Sequence, residues 1–559
     1  MWSDSPPMSQ QTDNQGSEVP SIEERLNGLF EPFHRGDTPG FVVGIAKDGE
    51  TLYRRAFGLA SVAQGVANTP RTRMRIGSTG KHITALATML LVEEDKIDLE
   101  ATIDQYIPEL PELDGYPTVR QLLNHTGGLR CTQELAFIAA GLTVQPEGKI
   151  LSSQKLQSRA NFPPGDGQLY CNSGYHLVSR VIERTSKLSF AEFLRHRIFE
   201  PLGLNDTLAV SSDMPIIERM ADLHLPRPDG SLRRGILVNE ETLGEGCIVS
   251  TLDDMMKWAS VLRGPDRPIG SDEAWRQILD RTTLCDDSQS TYGLGIWRFD
   301  YRGVEIISHA GGVIGGNSQV LVVPSAGLEV VVLTNTDSIP SSYLALQTID
   351  TLLEEKLVAP PTPVSSEKFK HLVGHRYHSD SGLVWGFEEV GGLLAASLQL
   401  SPAAPVLFDF GDRISTRFED LAMGPFAFDA VELLAGEDNT APEILTIREA
   451  GRPQEFKLMT DDAADGIDPE ALVGRYQSAD LDCDATVRLD DGLTMRLAGG
   501  FGARELDLEV LSETVVGVTA SDPIAPTRYA MTVIREGTEV RGFHISTNRA
   551  RHIEFDRCE

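Results

Sequence analysis

Apolar residues recur along this chain with two different periods. Phe41-Val42-Val43-Gly44-Ile45 and Thr51-Leu52-Tyr53 flank Lys47-Asp48-Gly49, where Asp-Gly offers the positive φ that a tight turn needs, so a β-hairpin is predicted. The signal returns far downstream, with Ser318 to Val323 and Leu328 to Leu333 around Pro324-Ser325-Ala326-Gly327. Between the two lies mostly helical sequence, notably Lys81 to Glu94, with Ile83, Leu86, Ala87, Leu90 and Leu91 at helical spacing. The simplest assembly is an antiparallel sheet built from both ends of one long segment, with a helical insert between them.

Ala359-Pro360-Pro361-Thr362-Pro363 should end that segment, because these prolines favour a stiff extended linker. Beyond it the chain echoes itself. Leu372-Val373-Gly374-His375-Arg376-Tyr377-His378-Ser379 recurs as Leu472-Val473-Gly474-Arg475-Tyr476-Gln477-Ser478. Each copy leads into an alternating hairpin, one around Gly391-Gly392 and one around Asp490-Asp491-Gly492. The expected organisation is multidomain α+β: a disordered tail over 1–20, a first domain over 21–358, a linker over 359–366, and two small antiparallel β-barrels over 367–462 and 463–559.

Charge removes several partners. Fifty Lys and Arg against 82 Asp and Glu leave a formal net charge of −32, a field that repels phosphate backbones and anionic lipid, so neither nucleic acid nor membrane is an expected partner. No stretch approaches the run of about 20 apolar residues that spans a bilayer. Met1 to Pro20 lacks the features of a secretory signal, and the six cysteines form no Cys-x-x-Cys pair. A reduced, cytoplasmic protein is expected, with no metal or cofactor. The oligomeric state stays open, a homodimer included.

Three short motifs carry candidate chemistry. Ser78-Thr79-Gly80-Lys81 sits between a β-like stretch and an apolar helix, where one helical turn places an amine beside a hydroxyl. The other two Ser-x-x-Lys, at Ser152 and Ser365, lack that setting. Ser78 could be a helix cap or a nucleophile. As a nucleophile it needs Lys81 neutral, and lowering a lysine from about 10.4 to about 7–8 takes around 4 kcal/mol, which only a water-poor pocket supplies. Tyr170-Cys171-Asn172 offers a phenol to relay a proton and an amide to hold Lys81 and a substrate carbonyl. His309-Ala310-Gly311 follows strand-like Val304 to Ser308, and Gly311 and Gly312 let a substrate approach the strand edge. The amides of Ser78 and Gly312 would then form an oxyanion hole. His34 and His125 also stand in His-x-Gly and are expected to be core or loop residues.

Taken in this order, Ser78-x-x-Lys81, Tyr170-x-Asn172 and His309-x-Gly311 resemble the penicillin-recognising serine hydrolases, which include class C β-lactamases, D,D-carboxypeptidases, esterases and D-aminopeptidases. The likeness extends to Leu122 through Leu129, Tyr292 through Trp297 and Val331 through Asn335. It implies a β-lactamase-like catalytic domain and an acyl-enzyme on Ser78. Where many members carry Lys-Thr-Gly, this chain has His309-Ala310-Gly311, replacing a permanent cation with a group largely neutral at pH 7. That departure, followed by two β domains, most resembles the D-aminopeptidase branch, with lipocalin-like barrels and a loop from the last domain that reaches the active site. The resemblance implies release of amino-terminal D-residues from short peptides or amides. The matching loop is expected at Gly499 to Glu505, placing Gly311, Gly500, Arg504 and Glu505 among the substrate contacts, with Glu505 or Asp507 facing a substrate ammonium. Alternatives are an esterase, a weak β-lactamase or D,D-peptidase, and a silent ligand-binding or sensor protein.

Overall fold

The first hairpin forms as β1 (Phe41–Lys47) and β2 (Glu50–Phe57), turned by Asp48 and Gly49 at φ of 52° and 86°. This computed structural model describes residues 20–409, 413–415, 430–432, 440–449, 452–459, 466–520 and 527–558. The tail expected over 1–20 lies, apart from Pro20, outside the described residues, as does the domain boundary at 462–463.

Four later strands, β3 (Trp297–Tyr301), β4 (Val304–Val313), β5 (Gly316–Val323) and β6 (Leu328–Thr334), complete an antiparallel sheet in the order β3-β4-β5-β6-β1-β2. The closing pair joins the two ends of the segment, with Phe41 opposite Thr334 and Lys47 opposite Leu328. Successive side chains on a strand point to opposite faces, so an element covered on both sides reads as an unbroken apolar run. β6 is buried along its whole length, and its one charged residue, Glu329, is paired with Arg263 at 2.6 Å. Val43, Ile45, Val330 and Val332 pack with the terminal helices α1 (Ile22–Phe30) and α6 (Ser341–Leu353). Val42, Val331 and Leu333 face the helical insert, led by α2 (Lys81–Val92) and α5 (Leu252–Arg263). The insert also carries α3 (Thr132–Ala140) and α4 (Asn172–Ser186).

Two β units follow. The strands between Arg376 and Leu458 form one nine-stranded sheet whose edges, Ala404–Pro405 and Phe408–Asp409, are separated by Val406-Leu407 and are not paired with each other. Over its described residues this unit is therefore an open, half-barrel sheet and not the closed barrel expected. The last unit is a closed barrel of eight strands running from Gly474–Ser478 to Ile553–Arg557. The sequence echo has a packing cause, since Leu372 with Tyr377 and Leu472 with Tyr476 are all wholly buried anchors of their sheets.

The closed barrel shares one apolar cluster with the first segment: Leu135, Ile138 and Ala139 of α3 pack with Leu497, Phe501 and Leu506. A buried ion pair, Arg130 to Asp480 at 2.9 Å, closes the seam. Arg130 also donates to the carbonyls of Arg551 at 2.9 Å and His552 at 2.6 Å. No helix among the described residues is long and apolar enough to cross a membrane.

Candidate active site

Ser78 lies in a short 3₁₀ turn, Gly77–Gly80, that runs directly into α2, so Lys81 opens the helix one turn later. The turn is pressed against β4. Gly77 has φ of 51°, and a Cβ there would fall 2.8 Å from the carbonyl oxygen of Gly312. Glycine meets both demands, the left-handed backbone and the close approach. Two hydroxyls fasten the same contact: Thr79 Oγ1 donates to the carbonyl of His309 at 3.2 Å, and Ser318 Oγ donates to that of Ile76 at 2.7 Å. A Cβ on Gly311 would strike the Ile76 carbonyl oxygen at 1.9 Å, whereas the same position on Gly312 opens into free space.

Lys81 is wholly buried. Its Nζ lies 3.0 Å from Ser78 Oγ, 2.8 Å from Asn172 Oδ1 and 2.7 Å from the carbonyl of Glu245. Burial pulls its pKa from 10.5 to about 7, opposed chiefly by the Glu245 carboxylate. Asn172, the first residue of α4, is held in turn by its Nδ2 donating to Gln133 Oε1 in a short bond.

The Tyr170 phenol lies beside the Ser78 hydroxyl, and its ring centre lies 4.9 Å from Lys81 Nζ. Burial raises the phenol's pKa, and the influence of Ser78 only partly offsets this. His125 holds this segment in place. Its backbone takes φ of 66°, its Nδ1 accepts from the Cys171 amide at 3.1 Å, and its ring packs 4.2 Å from that of Tyr170. His125 is thus a buried residue, as expected of a core or loop histidine, and it supports the Tyr170-x-Asn172 segment that leads into α4.

His309 is buried on β4. Its Nδ1–H donates to the Ala310 carbonyl at 2.6 Å, which leaves Nε2 to accept from the Tyr292 hydroxyl at 3.0 Å. Burial, aided by the neighbouring Lys81, lowers its pKa to about 3. The imidazole is therefore neutral at any ordinary pH.

The C-terminal candidates sit elsewhere. Gly499 to Gly502 is a tight hairpin tip, with Gly499 paired to Gly502, so there is no long inserted loop. Its Phe501 ring lies 4.2 Å beneath Lys149 Nζ, and its carbonyl accepts from Gln145 Nε2 at 3.2 Å. Gly500 faces Asp482 and Lys149. Arg504 donates to the Phe137 carbonyl on α3 and to Thr527 Oγ1, and Glu505 is exposed. A different barrel segment comes nearer Lys81. The Arg549 carbonyl accepts from the Cys131 amide at 3.1 Å, and its guanidinium pairs with Glu134. Burial works against that charge, but Glu134, Cys131 and Tyr170 together raise the Arg549 pKa. The structure thus gathers Ser78, Lys81, Tyr170, Asn172, His309, Gly311 and Gly312 around one turn, and sets Gly500, Arg504 and Glu505 along the barrel seam. Gln133, Glu245 and Arg549 join the site without any motif that isolates them in sequence, whereas His125 and Tyr292 lie in the Leu122–Leu129 and Tyr292–Trp297 stretches that carry the family likeness.

A partly exposed Ser beside a buried Lys on such a turn, with a six-stranded antiparallel sheet behind it, defines a class of hydrolase. Residues 26–351 match the β-lactamase family, and the chain belongs to that family of serine hydrolases. Among its relatives is a D-aminopeptidase of Brucella canis, 26% identical over 87% of each chain. Another is the D-aminopeptidase of Brucella anthropi, 25% identical over 93% of this chain and 96% of the relative. In fold it is similar to an octameric penicillin-binding protein homologue from Pyrococcus abyssi, with a TM-score of 0.53, 19% identity, and coverage of 96% and 99% of the two chains. It is also similar to a D-amino acid amidase from Ochrobactrum anthropi SV3, with a TM-score of 0.50, 24% identity, and coverage of 60% and 97%.

Proposed function

We propose that this chain is a serine-type D-aminopeptidase, which releases amino-terminal D-residues from short peptides and amides through an acyl-enzyme on Ser78. The observation that carries the chemistry is the set of partners around Lys81. A neutral amine has two N–H bonds and one lone pair. Asn172 Oδ1 and the Glu245 carbonyl, both acceptors only, take the two N–H bonds. The lone pair is then left for the hydroxyl proton of Ser78, 3.0 Å away. Ser78 Oγ attacks the substrate carbonyl as its proton passes to Lys81, directly or through Tyr170, and the same groups return the proton to the departing amine. The backbone amides of Ser78 and Gly312 receive the oxyanion. Neutral His309 lines the cleft without offering the permanent cation that would draw a substrate carboxylate.

The substrate assignment rests on the relatives, both called D-aminopeptidases and both matched along nearly the whole chain. The test is to incubate the full chain with D- and L-alanine p-nitroanilide, p-nitrophenyl acetate and nitrocefin while following intact mass. D-amide turnover with an adduct mapped to Ser78, absent from Ser78→Ala, is expected. Ester turnover without D-amide cleavage would discard the aminopeptidase. Stoichiometric labelling without turnover would make the protein a binder.

A further inference from the structure

Beneath Lys81 lies a second buried polar group that the acylation chemistry above does not use. Glu245, on the loop before the Ile248–Ser250 strand, is 4% exposed, and His176, one turn into α4 from Asn172, is 0% exposed. Glu245 Oε1 lies 3.3 Å from His176 Nδ1. The far nitrogen of His176 is 3.9 Å from Glu241, which is itself paired with Arg180 at 2.7 Å. Glu245 Oε2 and His176 Nε2 have no hydrogen-bond partner among the described residues. An unsatisfied buried polar atom costs roughly 1–3 kcal/mol, more for a charged group, and an apolar side chain would avoid that cost. The main chain of this same residue accepts from Lys81 Nζ.

We propose that Glu245 is a positioning residue for acylation: anchored on His176, it fixes the carbonyl that orients Lys81 and supplies the counter-charge for the ammonium formed there. The inference rests on Lys81 acting as the base. In that step the Ser78 O–H bond breaks and its proton goes to the Nζ lone pair. Oγ bonds to the carbonyl carbon, and the carbonyl π electrons move to oxygen. One positive charge thus appears on the wholly buried amine of Lys81. A fixed carboxylate nearby stabilises this charge without reorganising, which is how preorganised electrostatics lower a barrier.

Other titratable groups face Lys81: Cys131 at the start of α3, Cys171 and Tyr170 before α4, Tyr175 on α4, His125, His309 on β4, and Arg549 from the barrel. Arg549 opposes the ammonium, His125 and His309 are held uncharged by burial, and Glu245 is the leading influence favouring it. Around Glu245 itself stand His176, Lys81 and Cys247, with Arg75 beyond Cys247.

The experiment reads the pH dependence of Ser78 labelling by a fluorophosphonate, which needs no knowledge of the natural substrate. Removing the carboxylate disfavours the ammonium, so in Glu245→Gln the ascending limb should move to lower pH by about one unit or more. In Glu245→Asp, which keeps the charge, it should stay within about 0.3 unit of the wild type. Glu241→Gln, one residue further from the amine, should move it less than Glu245→Gln does. If Glu245→Gln does not fold, Glu245→Met combined with His176→Leu replaces the pair by apolar groups of similar size, and the same downward shift is expected. A limb unmoved in the folded variant, or moved equally by Glu241→Gln, overturns the proposal. A wild type whose limb survives in Lys81→Met would instead overturn Lys81 as the base, a separate failure.

Discussion

A lysine pulled from 10.5 to about 7 by burial leaves a mark on stability as well as on rate. Between those two values the unfolded chain holds a proton that the folded chain lacks. The contribution of this group to stability therefore grows as pH rises through the window and is lost as pH falls through about 7. Lys81→Met has no such dependence. Its melting temperature relative to the wild type should be highest near neutrality and decline as pH is raised through about 9, which calorimetry at several pH values checks. Tyr170, beside Ser78 with its phenol kept protonated by burial, gives a kinetic prediction. Tyr170→Phe should lower kcat by about 10²–10⁴-fold with little change in KM, since it removes a proton-transfer group and leaves the cleft walls intact. His309 lies near 3 and should add no further limb to the rate profile in the neutral range.

At the scale of elements, the hairpins and the helix behind Ser78 were legible because each carries its own local signal: Asp48-Gly49 for the turn, alternation for the strands, and one apolar face for α2. What periodicity could not reveal is which partner covers a given face. α3 reads Thr-Gln-Glu-Leu-Ala-Phe-Ile-Ala-Ala, and nothing local says that Leu135 and Ile138 belong to a core completed by residues more than three hundred positions later. The supports of the site were hidden for the same reason, since His125, Gln133 and Glu245 act through contacts distant in sequence. Arg130 is the sharpest case, a guanidinium with no exposure whose carboxylate partner comes from the last domain. Arg130→Ala would leave Asp480 buried without its counter-ion, a loss of about 3–5 kcal/mol. Thermal melts should show this as a lower transition, together with slower labelling at Ser78.

Over the whole molecule, the order of segments was readable from the proline linker and the internal echo, whereas sheet closure was not. Closure depends on how edges meet, and an alternating strand reads alike in an open sheet and in a barrel. The C-terminal barrel is not a detachable appendage. It buries α3, pairs Arg130 and brings Arg549 to the wall of the site. Deleting 468–559 should therefore give a poorly soluble chain whose Ser78 no longer labels. A soluble, monodisperse remnant that labels at the full rate would mean the barrel contributes nothing to the catalytic groups.

The charge state of a single amine decides the rest, and it can be observed without a substrate. With lysines carrying ¹³C at the ε carbon, NMR titration of the full chain should show one signal, absent in Lys81→Met, that titrates near 7. If every lysine signal titrates near the ordinary value of about 10.4, Lys81 is an ammonium at neutral pH, and the account of Ser78 as its nucleophilic partner is contradicted.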